Sequence, residues 1–162
     1  MNIKRPRDIK ISSLLKERFI NLDLKGDNKI RVIAELVELI SKSEKLKNKK
    51  SFLNAMLERE KVGSTGIGNG VAIPHAKSKG VHNFILAFAR RNEGIDFEAL
   101  DGEKTFLFFI LASPKDDVGN HLKILAEISR LVKDKFTIES LKKAKNKKDI
   151  LKIISTYERT SQ

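Results

Sequence analysis

The run "KTFLFFILAS", Lys104 to Ser113, constrains this chain more than any other segment. Its centre has no polar residue on either parity, so a strand built from it must be covered on both faces. At seven strongly apolar residues, Phe106 to Ala112, it is far too short to span a bilayer. A strand of that kind needs a sheet around it and helices above and below.

The flanking patterns supply those partners. "SSLLKER" (Ser12 to Arg18) reads as a short helical turn, and "FINLDL" (Phe19 to Leu24) alternates as a strand does. Gly26 punctuates, and Asp27 is placed to cap a helix whose apolar face runs Ile30, Ile33, Ala34, Val37 and Ile40. "SFLNAMLEREKVG" predicts a second helix that stops at Gly63. "VAIP" is short and extended, because a proline biases the preceding residue away from helix. "NFILAFARR" (Asn83 to Arg91) predicts a strand, Asn92 to Gly94 a turn, and "IDF" another extended piece. Pro114 ends the apolar strand. From Asn120 a helix follows with Leu122, Leu125, Ala126, Ser129 and Val132 on one face. Shorter helices are expected at Thr137 to Lys145 and Lys148 to Tyr157. Helices, then strands, then helices give an α/β fold: a single domain over 1–162, core about 10–158, with a mixed central β-sheet flanked by helices on both faces.

Composition narrows the function classes. No cysteine is present, which removes disulfides, thiolate metal sites and thiol nucleophiles. The basic N-terminus "MNIKRPRDIKIS" lacks an apolar core, so it is not a signal peptide, and a cytoplasmic location is expected. The net charge is +12. Its lysine clusters, Lys42 to Lys50 and Lys142 to Lys148, carry no interleaved aromatics, and tryptophan is absent. Stacking platforms are therefore missing, and nucleic acid is a poor fit as partner.

The chemistry concentrates in "GSTGIGNGVAIPHAK", Gly63 to Lys77. Gly63, Gly66, Gly68 and Gly70 permit positive φ and close backbone approach, and Ser64 and Thr65 add hydroxyls. Such a loop can form an anion-binding concavity. It fits neither the Walker A pattern nor the dinucleotide fingerprint. It ends in His75, straight after a proline. A neutral imidazole carries one bare nitrogen lone pair, which can attack phosphorus when the other nitrogen is held as a donor.

The segment "LEREKVGSTGIGNGVAIPHAK" resembles the active-site region of enzyme IIA domains of the mannitol/fructose type (type 2) of the bacterial phosphotransferase system. It is most similar to the nitrogen-regulatory branch. The second segment "GNHLKILAEISRLVKD" agrees, with His-Leu leading an amphipathic helix. The resemblance implies a phosphoryl carrier that accepts its group on His75 from an HPr-type phosphocarrier. It implies that His121 is the second active-site histidine, that Arg59 is the electrostatic stabiliser, and that Ser64, Thr65, Gly66 and Gly68 line a phosphoryl-binding loop. No metal and no cofactor are implied. Glu60 receives no catalytic task, and His82 is read as a surface residue. Downstream partners would be regulatory target proteins or a IIB domain. The alternatives are a IIA subunit of a fructose/mannitol-type permease with separate IIB and IIC, and a non-catalytic binding module that kept the fold. Because HPr-type carriers present basic residues around their histidine, the face around His75 should be apolar or acidic, with the positive charge elsewhere.

Overall fold

A computed structural model of the chain describes residues 9–161. Most of the basic N-terminal stretch considered above, residues 1–8, lies outside the described residues. The apolar run becomes strand β6, Thr105–Pro114, at the centre of a six-stranded mixed sheet. One edge of β6 pairs antiparallel with β5, Ile85–Ile95, which in turn pairs parallel with β1, Leu15–Asn21. The other edge is shared by two short parallel strands in succession, β3 (Val71–Ala72) and β4 (His75–Ser78). A third short strand, β2 (Gly66–Gly68), pairs antiparallel with β3.

The double coverage required by β6 is present: Leu107 through Ser113 are all buried. Phe108, Ile110 and Ala112 pack with helices α2 (Lys29–Ile40) and α3 (Lys49–Val62). The opposite parity, Leu107, Phe109 and Leu111, packs under α1 (Ile11–Leu14), α4 (Val118–Leu131), α5 (Lys135–Lys143) and α6 (Lys147–Thr160). Successive strand residues face opposite sides of a sheet, so one continuous apolar run serves two cores. Edge-on aromatic pairs mark both, Phe97 on Phe108 at 5.2 Å and Phe88 on Phe109 at 5.1 Å between ring centroids.

Several local expectations shift. The first helical piece is a single turn, and Leu15–Arg18 already belong to β1. The α2 cap is Asn28, whose side chain accepts from the Arg31 N–H, while Asp27 pairs with the Arg31 guanidinium at 2.9 Å. Ile30 is 67% exposed; the buried face is Val32, Ile33, Leu36, Val37, Leu39 and Ile40. The turn expected at Asn92–Gly94 is a bulge within β5. Arg90 pairs with Leu107 and Ile95 with Thr105, so residues 91–94 stand opposite Phe106 alone. Gly94 absorbs the bulge at φ +71°. In α4 the inward face is His121, Ile124, Ile128 and Leu131, one position off the face phased from Leu122, which is 59% exposed. Periodicity supplies the helix but not its rotation, which the sheet beneath it sets.

Candidate active site

His75 opens β4 immediately after Pro74. Proline has no N–H, so the ladder on β6 breaks there, and the Pro74 carbonyl takes the Leu111 N–H at 3.0 Å. His75 then pairs with Leu111, and Lys77 with Ser113, in parallel register. Paired residues of parallel strands project to the same side, and Leu111 faces the α4 layer. The same side therefore receives His75, Lys77 and Ser113. The loop after β6 turns back through Asp117, which caps α4 by accepting from Asn120 N–H. Within the first turns of that helix comes His121. The two imidazoles, 46 residues apart in the chain, end with centroids 5.5 Å apart and planes inclined at 55°.

Each ring has one nitrogen committed. His75 Nδ1 lies 2.7 Å from the carbonyl oxygen of Ile73. A carbonyl only accepts, so Nδ1 carries the proton and Nε2 keeps the lone pair. Burial pushes the His75 pKa below its usual value, against the raising effect of the Ile73 bond, and the Arg59 cation lowers it further. His121 is 4% exposed, with Nδ1 2.7 Å from the Ser113 hydroxyl. Burial, helped by His75 and Lys77, lowers its pKa to about 4. Both rings are consequently neutral near pH 7, the form with a nucleophilic nitrogen.

Arg59 sits in the last turn of α3, where Nη1 donates to the Gly63 carbonyl at 2.8 Å. Its neighbour Glu60 turns the other way, into a buried network. That carboxylate takes Lys29 Nζ at 2.8 Å, the Thr65 N–H at 3.2 Å and the Thr65 hydroxyl. Adjacent residues of one helix thus serve the site and its support. Glu60, given no catalytic task above, is thus an anchor with a buried side chain.

The glycine loop is organised differently from the open anion-binding cradle expected. Its donors are turned inward. The Thr65 N–H and hydroxyl go to Glu60, the Gly66 N–H to Ser64 Oγ at 3.0 Å, and the Asn69 N–H to Asp101 at 3.0 Å. Ser64 itself donates to the Phe97 carbonyl at 2.9 Å. Of the four glycines considered, Gly68 and Gly70 adopt left-handed φ, +99° and +80°, around the β2–β3 turn, whereas Gly63 is extended at φ 166°. The loop thereby buttresses His75. Positive charge also lies close to the site, since Arg59 and Lys77 both act on His75. Exposed Val118 and Leu122 flank His121 on α4. His82 is exposed, as expected of a surface residue.

Lys77, Glu60 and Ser113 are site residues that sequence reasoning passed over. The period of two along β4 places Lys77 on the side of His75, a signal present in the sequence. Ser113 reaches His121 only through the rotation of α4 over β6, so no local pattern carries it.

The mixed α/β sandwich thus sets two apposed imidazoles at the end of its central strands. Residues 13–157 match the family described as "Phosphoenolpyruvate-dependent sugar phosphotransferase system, EIIA 2". Two curated relatives are a fructose-specific EIIABC component of Bacillus subtilis, 36% identical over 93% of this chain, and a nitrogen regulatory protein of Escherichia coli K12, 32% identical over 94%. The chain spans 24% of the first relative's length and 93% of the second's. The crystal structure of the nitrogen regulatory protein IIA-Ntr from Neisseria meningitidis superposes with a TM-score of 0.83 at 33% identity, covering 89% of this chain and 98% of that one. The chain belongs to the EIIA type-2 family of the phosphotransferase system. Among the described residues, no helix is long and apolar enough to cross a membrane.

Proposed function

We propose that this chain is a phosphoryl carrier of the nitrogen-regulatory branch, with His75 as its acceptor and an HPr-type phosphocarrier as its donor. The observation that carries the reading is the Ile73 carbonyl holding His75 Nδ1–H at 2.7 Å, which leaves Nε2 as the free nucleophile beside a second buried imidazole. The Nε2 lone pair attacks phosphorus in line. The bond from phosphorus to the donor imidazole breaks, and its electron pair leaves with that ring. Such transfer has a loose transition state, so positioning and electrostatics dominate. Arg59 is the electrostatic stabiliser, Lys77 adds a second cation, and His121 lies alongside the incoming group. Ser64, Thr65, Gly66 and Gly68 serve as the rigid wall behind it, anchored by Glu60 and Asp101. Exposed Val118 and Leu122 offer the carrier an apolar docking rim.

The regulatory branch is supported by near end-to-end similarity to nitrogen regulatory proteins. Phosphorylation would then be the output, a charge change read by target proteins. The second reading, a IIA subunit for a separate permease, is favoured by the 36% identity to a fructose-specific relative. The test is incubation with phosphoenolpyruvate, enzyme I and carrier. An acid-labile, base-stable adduct that disappears in His75→Ala supports the carrier; an unmodified chain, or an adduct that survives His75→Ala, overturns the assignment. Onward transfer to the cysteine of a fructose-type IIB domain would favour the permease reading.

A further inference from the structure

We propose that Ser113 is a positioning residue for phosphoryl transfer: its hydroxyl donates to His121 Nδ1 and holds that ring as the Nε2–H tautomer. The inference rests on the carrier reading above and concerns a residue to which that reading gave no role. Ser113 is fully buried on β6, and its Oγ lies 2.7 Å from His121 Nδ1. Among the described residues, that nitrogen is the one partner its hydroxyl has.

A neutral imidazole and a hydroxyl can share this bond in two ways. In the first, Nδ1–H donates to Oγ. The proton of the fully buried serine then has no acceptor among the described residues, and Nε2 presents a lone pair to the phosphoryl oxygens. In the second, Oγ–H donates to Nδ1. Both atoms are satisfied, and the remaining nitrogen carries a proton that an anion can accept. A buried donor without a partner is costly, so hydrogen-bond counting selects the second arrangement. The backbone reinforces it. Ser113 pairs with Lys77, two places along the ladder that pairs His75 with Leu111. One parallel ladder, β4 on β6, therefore sets the acceptor ring and the hydroxyl that orients its neighbour.

The tautomer is read directly on the uniformly ¹⁵N-labelled, unphosphorylated chain at neutral pH by long-range ¹H–¹⁵N correlation of the histidine rings. The expected spectrum has His121 protonated at Nε2 and bare at Nδ1. Ser113→Ala should convert it to a mixture and slow phosphoryl acceptance roughly ten- to a hundredfold, the loss seen when a tautomer-fixing partner is removed in metal sites. Ser113→Thr should restore both. In a His121→Ala background, Ser113→Ala should have no further effect on rate. A wild-type His121 protonated at Nδ1 overturns the proposal. So does a Ser113→Ala chain that folds, keeps a single Nε2–H tautomer and transfers at the wild-type rate. If the wild-type chain takes no phosphoryl group, the carrier reading fails and the positioning role fails with it, while the spectrum still decides the direction of the hydrogen bond.

Discussion

Replacing Glu60 with alanine should damage both the stability and the chemistry of this domain, although Glu60 touches no reacting atom. Its side chain is 6% exposed and that of Lys29 is 15% exposed, so the pair at 2.8 Å is largely desolvated. Removing one partner of a buried pair costs about 3–5 kcal/mol, because a charge is left uncompensated. Lys29 retains Glu98 at 3.3 Å and the Phe97 ring at 4.9 Å, but Glu98 is 76% exposed, which places the loss at the lower end. Thr65, 3% exposed, also loses the acceptor for its N–H and hydroxyl, a further ~1–3 kcal/mol where water does not enter. The two contributions overlap, and a total of about 4 kcal/mol is expected. With a urea slope of about 2 kcal/mol/M, the unfolding midpoint should fall by about 2 M. Glu60→Gln should cost about half as much, since its amide oxygen still accepts from Thr65 while its NH₂ opposes the ammonium. A double-mutant cycle with Lys29→Met should return a coupling of about 1–3 kcal/mol. A midpoint shift below about 0.5 M, or a cycle with no coupling, would refute the claim that this ion pair fastens the glycine loop to α3.

Arg59→Gln should slow phosphoryl acceptance by about 10²-fold, as expected for a lost electrostatic stabiliser. It should also raise the His75 pKa, because the Arg59 cation lowers it now; an NMR titration of the His75 ring checks the sign. Stability should fall as pH falls from 6.5 towards 4. Across that interval the unfolded chain binds a proton at position 121 that the folded chain refuses until about pH 4. The loss is about 3 kcal/mol when complete, and the lowered His75 pKa adds in the same direction. Urea unfolding at pH 7.5, 6 and 5 should reveal the slope, and His121→Gln should flatten it. Gly94→Ala should destabilise by about 1–3 kcal/mol. It forces φ +71° on alanine and sets its Cβ 2.7 Å from the Phe106 ring, a loss measurable by thermal unfolding.

The sequence by itself determined the sandwich and the place of His75 at the start of β4. An apolar strand with no polar parity demands cover on both sides, and the residues around it were legible as helices from their spacing. Pro74 dictated the break between β3 and β4 that frees His75, because a proline cannot donate to the ladder. The tertiary structure alone decided which side groups meet there. His121 faces inward because α4 is rotated by its packing on Phe109 and Leu111, not because of anything in its own heptad. Glu60, read as a bystander, became the anchor of the loop once Lys29 and Thr65 arrived from other elements. Ser113 gained its partner through the rotation of α4 over β6. Local patterns encode the direction and period of each element, whereas rotation and register minimise exposed apolar area and unpaired buried polar groups over the whole chain. A site assembled across four elements is therefore written in the sequence only as its separate parts.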